Sequence, residues 1–60
     1  MKYKEFHRFI RRNGWVELRQ EGSHILYSKE GCPIVPVPYH GSKEIPEPLR
    51  RAILKEMGLK

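Results

Sequence analysis

The sequence predicts an α+β fold in the order α-β-β-β-α, with two helices packed on one face of a three-stranded antiparallel sheet. Three observations predict it. Apolar residues recur at helical spacing near both ends of the chain, and the middle carries short runs rich in β-branched and aromatic residues. Asn-Gly, Glu-Gly and Pro-rich punctuation separates these runs. Sharing one face of the sheet is the simplest way for two apolar helical stripes to leave water.

Residues 2–12 read as the first helix. Tyr3, Phe6, Phe9 and Ile10 fall within an arc of about 120° at roughly 100° per residue, and Lys4, Arg8, Arg11 and Arg12 gather opposite them. Asn13-Gly14 stops the helix, because both residues tolerate the left-handed backbone that closes helices. Trp15–Gln20 alternates, with Val16 and Leu18 on one face and Glu17 and Arg19 on the other, which predicts a half-buried strand. Glu21-Gly22 turns the chain into a second strand, His24–Ser28. Its inward face is not assigned by pattern, since Ile25, Leu26 and Tyr27 are all apolar.

Glu30-Gly31 marks the next turn, and Ile34–Val37 the third strand. Pro36 and Pro38 lack amide hydrogens and sit two apart, so their missing donors face one side, as an edge strand allows. Tyr39–Ile45 is a polar loop. Pro46 and Pro48 are tolerated only before or within the first turn of a helix, which places the second helix from about Glu47. Leu49, Ala52, Ile53 and Met57 form its buried stripe, Arg50, Arg51 and Lys55 lie away from it, and Gly58 ends it.

Sixty residues support one domain, 1–60, with a thin core, since a chain this short buries only about 60% of the surface its unfolded form exposes. An apolar share of 38% with six aromatic residues suits a globular fold rather than disorder. Twelve Lys/Arg against seven Asp/Glu leave a formal charge of +5, which favours polyanions because cations displace counterions from phosphates. Cys32 is the only cysteine, so no intrachain disulfide is possible and a small buried thiol is expected there. No apolar run exceeds three residues, so neither a membrane-spanning helix nor a signal peptide is expected, and the reducing cytoplasm is the natural compartment.

Few side chains can carry chemistry near neutral pH. His7, Cys32 and His40 lie on three different elements without paired-ligand spacing, so no metal site and no cofactor are expected. Gly22-Ser23-His24 is the informative spot. Glycine frees the turn, serine can bond a phosphate, and His24 stands at the first position of a central strand, rigidly held yet near solvent. A histidine there usually just sits at a surface edge. It is also what RNA cleavage needs: a group that removes the 2′-hydroxyl proton so that the oxygen attacks the adjacent phosphorus. RNA contacts would fall to Ser23, to Lys43, and to Arg50 and Arg51 beyond it at a helix start. Tyr27 and Tyr39 are the aromatics best placed to stack a base, and Trp15 belongs to the core.

The double-stranded-RNA-binding domain has this element order and layering, which is analogy rather than function. The residues carry a more specific likeness. Asn13-Gly14-Trp15 leads into the first strand, Gly22-Ser23-His24 opens the second, Val35-Pro36-Val37-Pro38 precedes His40, Lys43-Glu44-Ile45 precedes a helix, and Leu49-Arg50-Arg51-Ala52-Ile53-Leu54-Lys55 closes before Gly58-Leu59. In this order the chain resembles the HicA toxins over essentially its full length. The resemblance implies metal-independent endonucleolytic cleavage of RNA, with His24 catalytic. Gly22 and His40 are structural supports, Gly22 freeing the turn and His40, which aligns with a histidine common in the family, fixing the loop or else serving as a second proton-transfer group. It also implies a HicB antitoxin partner that covers the active site and makes any DNA contact. Two rival readings are a non-catalytic RNA-binding module of the same fold and a pure protein-interaction subunit. Neither requires a titratable group directly after Gly22-Ser23.

Overall fold

The computed structural model describes residues 1–59; Lys60, the last residue of the expected 1–60 domain, lies outside them. The elements are α1 (Tyr3–Arg12), β1 (Val16–Glu21), β2 (His24–Ser28), β3 (Val35–Pro38) and α2 (Glu47–Met57), in the expected order. The strands pair antiparallel as β1-β2-β3, with β2 central and both helices on one face.

Each helix is closed by its own sequence. The Glu5 carboxylate accepts the Lys2 backbone N–H at 2.8 Å, Asn13 Nδ2 donates to the Phe9 carbonyl at 2.8 Å, and Gly58 ends α2 at φ 71°. The apolar faces then meet. Tyr3, Phe6 and Ile10 of α1 and Ile53, Leu54 and Met57 of α2 pack on Ile25 and Tyr27 of β2 and Val35 and Val37 of β3, with Trp15 and Ile45 completing the core. Burying each large apolar side chain contributes about 1.5–3 kcal/mol, which is how so short a chain offsets its conformational entropy.

The pleat assigns the face of β2 that the sequence pattern does not. Ile25 and Tyr27 point inward, so His24, Leu26 and Ser28 point away from the helices. On β3, Val35 and Val37 are buried, and Pro36 and Pro38 stand opposite Leu26 and His24 on an edge strand. The loop after β3 is anchored to α1: Tyr3 N–H donates to the Lys43 carbonyl at 2.9 Å and Lys4 N–H to the Gly41 carbonyl at 3.0 Å. These bonds satisfy first-turn donors that have no partner within the helix.

Several expectations are corrected. β1 is exposed along its whole length, with Val16 61% and Leu18 46% exposed, so its alternation does not mark a buried face. A bulge between Glu17 and Arg19 interrupts that alternation, and the residue driven into the core is Trp15, just before the strand. Ile34 stays outside β3 and is 54% exposed. Ala52 is exposed and Leu54 takes its place in the α2 stripe, since the helix turns its larger apolar side chains to the sheet. Cys32 is exposed rather than buried. It sits in a turn closed by its own N–H on the Lys29 carbonyl at 2.9 Å, beyond the reach of the core.

Candidate active site

His24 is placed by a two-residue turn and by both neighbouring strands. Gly22 opens the turn at φ 59°, a left-handed conformation that side-chain-bearing residues adopt at a cost. A Cβ added there meets nothing within 4 Å, so the demand on Gly22 is conformational rather than steric. Behind the turn, His24 pairs with Glu21 on β1 and with Pro38 on β3. Its side chain is exposed on the sheet face away from the helices. A titratable ring is thus fixed at its base on a central strand and open to solvent at its tip. The Glu21 carboxylate beside it accepts a hydrogen bond from Arg19 Nε at 2.7 Å.

The residues expected to assist His24 divide into two groups. Gly22 and Ser23 adjoin it, and the Ser23 carbonyl accepts the Tyr39 N–H at 2.7 Å, which brings the start of the Tyr39–Ile45 loop to the same end of the sheet. His40 is exposed on that loop and packs edge-on against Tyr3, with ring centroids 5.0 Å apart. Lys43 is exposed further along it. Arg50 and Arg51 are elsewhere. Both bind the Glu47 carboxylate, Arg51 through Nε at 3.2 Å, and these cations, Arg50 foremost, hold Glu47 below the usual carboxylate range. Arg50 also lines a shallow cavity between the helices with Met1, Phe6, Phe9 and Leu54. The α2 arginines therefore belong to the helical layer, and His24 opens on the opposite side of the sheet.

Tyr27 is not a stacking platform. It is fully buried, because the pleat that turns His24 outward turns Tyr27, three positions on, into the core. There it joins a buried residue that the sequence reading treated only as a poor metal ligand. His7 is 1% exposed, and its Nδ1 lies 2.7 Å from Tyr27 Oη while its Nε2 lies 2.8 Å from the Pro38 carbonyl oxygen. A carbonyl can only accept, so Nε2 carries the proton and Nδ1 accepts from the tyrosine hydroxyl. Arg11 Nη1 donates to the same phenolic oxygen at 3.4 Å. Burial first, opposed by the bond to Pro38, holds His7 below the ordinary imidazole value. Burial likewise raises Tyr27 above the usual phenol range. The helical period holds only a partial signal: at roughly 100° per residue His7 falls about 40° beyond Tyr3, at the edge of the apolar arc rather than inside it.

Among the described residues, no three His, Cys, Asp or Glu side chains converge as a metal cage would require, and no helix is long and apolar enough to cross a membrane. Comparisons with known proteins are consistent along the chain. The family described as "HicA toxin of bacterial toxin-antitoxin" matches residues 3–59. A probable mRNA interferase HicA of Pseudomonas fluorescens is 43% identical over 60 residues, covering 100% of this chain and 98% of that protein. A probable mRNA interferase toxin HicA of Escherichia coli K12 is 41% identical over 59 residues, covering 98% of each. A chain in a structure described as a toxin-antitoxin complex from Streptococcus pneumoniae superposes with a TM-score of 0.81 at 30% identity, covering 98% of both chains. With the fold, the sequence and the matched length in agreement, this chain belongs to the HicA toxin family.

Proposed function

We propose that the chain is an endoribonuclease toxin that cleaves messenger RNA through proton transfer at His24. The observation that carries this reading is the place of His24: exposed, at the first position of the central strand, behind a glycine-shaped turn, in a member of a toxin family whose relatives are named mRNA interferases. A solvent-facing imidazole on a rigid strand can remove the 2′-hydroxyl proton of a bound RNA. The 2′ oxygen then attacks phosphorus, the bond from phosphorus to the 5′ oxygen breaks, and that oxygen takes a proton from solvent water, while the proton on His24 returns to solvent. The products are a 2′,3′-cyclic phosphate and a 5′-hydroxyl end, and neither step calls for a metal ion. General acid–base assistance of this kind is worth about 10²–10⁴ in rate.

Ser23, beside His24, is the first phosphate contact and Lys43, on the loop, the second; Arg50 and Arg51, on the helical side of the sheet and paired with Glu47, act only as longer-range cations. The 1–60 chain acts as one toxin domain in the cytoplasm. The likeness to a chain of the Streptococcus toxin-antitoxin complex supports an antitoxin partner; in this reading it is a HicB antitoxin that covers His24 and supplies any DNA contact. The surplus of cations gives an acidic inhibitor favourable long-range attraction.

Purified protein incubated with RNA in the presence of EDTA tests this reading. Cleavage yielding cyclic phosphate and 5′-hydroxyl ends, lost in His24→Ala, is expected. RNA that is bound in a salt-dependent way but left intact would instead favour the non-catalytic binding module.

A further inference from the structure

A continuous hydrogen-bonded chain runs from α1 to the backbone immediately before His24. Arg11 Nη1 donates to Tyr27 Oη at 3.4 Å, and the Tyr27 hydroxyl donates to His7 Nδ1 at 2.7 Å. His7 Nε2–H donates to the Pro38 carbonyl at 2.8 Å. That carbonyl belongs to the Pro38–Tyr39 peptide, whose N–H donates to the Ser23 carbonyl at 2.7 Å. Ser23 is the residue before His24, and Pro38 is the cross-strand partner of His24 itself.

We infer that His7 is a positioning residue for His24, acting through the Pro38–Tyr39 peptide on the Ser23 carbonyl. This rests on the reading of His24 as catalytic. The geometry gives the role its content. Pro36 and Pro38 carry no N–H and sit at the positions whose amides would face away from β2, so the ladder to β2 is intact, and the Tyr39 N–H makes the bond that closes it beside His24. Its peptide is polarised from the other side by His7, and hydrogen bonds in series strengthen one another in a low-dielectric interior. Because Tyr27 lies on β2 and Pro38 on β3, one imidazole ties α1 to the strand that carries His24 and to one of its two neighbours.

The same arrangement makes the brace sensitive to acid. A protonated His7 would present a second N–H to Tyr27 Oη, which already receives Arg11, and the phenolic proton would lose its acceptor. Arg11 of α1 opposes a positive His7, Glu17 of β1 favours it, and Tyr27 of β2 and Tyr39 of the loop pack on its ring. Burial keeps the ring neutral near pH 7.

The test is steady-state cleavage of a short RNA by the full chain and its His7→Gln and His7→Asn variants, with amide spectra of Ser23, His24 and Tyr39. Glutamine can place an N–H where Nε2 stands; asparagine is too short to reach Pro38. Expected are a kcat reduced roughly ten- to a hundredfold in His7→Asn at nearly unchanged KM, recovery of most of it in His7→Gln, and a Tyr39 amide shift in the former only. Equal kcat in all three proteins would overturn the proposal, as would equal losses in both variants that merely follow lost stability. Should His7→Asn not fold, the native protein decides: the Tyr39 and His24 amides must titrate with the His7 ring, and titration with the His24 ring alone refutes the brace. The amide readout needs no catalysis, so a protein that cleaves no RNA would refute the ribonuclease reading without deciding this one.

Discussion

His7 Nδ1 and Tyr27 Oη meet at 2.7 Å inside the core, an imidazole from α1 and a phenol from the central strand each satisfying a polar group that water cannot reach. Tyr27→Phe keeps the ring and its packing but removes the hydroxyl. The variant strands Nδ1, and an unsatisfied buried acceptor costs about 1–3 kcal/mol. Chemical denaturation should show a lower midpoint at unchanged slope. A midpoint equal to that of the native protein would mean that the pair is energetically idle.

Stability should also fall toward acid in a defined window. The folded chain holds His7 below the ordinary imidazole value of 6.5, whereas the unfolded chain protonates it there. On lowering the pH the unfolded state therefore gains its proton first, so this contribution is complete above about 6.5 and is lost as pH falls through the folded value. Denaturation midpoints measured from pH 7.5 down to 5 should decline in the native protein and stay flatter in His7→Gln. Glu5 and Glu47, both held below the carboxylate value of 4.5, act in a separate window beneath it.

Gly22 offers a prediction free of packing effects. Gly22→Ala creates no clash, yet it must hold a left-handed backbone at φ 59°. The penalty is about 1–2 kcal/mol, and asparagine should recover part of it. Thermal unfolding of the two variants checks the order Gly, then Asn, then Ala. Alanine as stable as glycine would show that the turn relaxes.

Most of the fold was legible because local physics and tertiary packing agree. The two helical stripes, the glycine and proline stops and the paired missing donors of Pro36 and Pro38 each encode their own element. Legibility failed where burial depends on partners distant in sequence. Val16 and Leu18 alternate correctly but lie on an exposed, bulged edge. Ile25, Leu26 and Tyr27 look alike until the pleat separates them, and that ambiguity is why Tyr27 could be mistaken for a surface platform. His24 was legible because its turn is local. The brace behind it was not: it joins residues 20 and 31 positions apart through a carbonyl, and carbonyls are invisible in sequence.

His24 itself is the point on which the function turns. The most direct measurement is growth and total-RNA integrity after induced expression of the native chain, beside His24→Ala matched for soluble amount, in cells without an antitoxin. Growth arrest with RNA loss in the native case only, with an activity difference of about 10²–10⁴ in the purified pair, is the predicted result. Equal toxicity and equal RNA loss from both chains would contradict it.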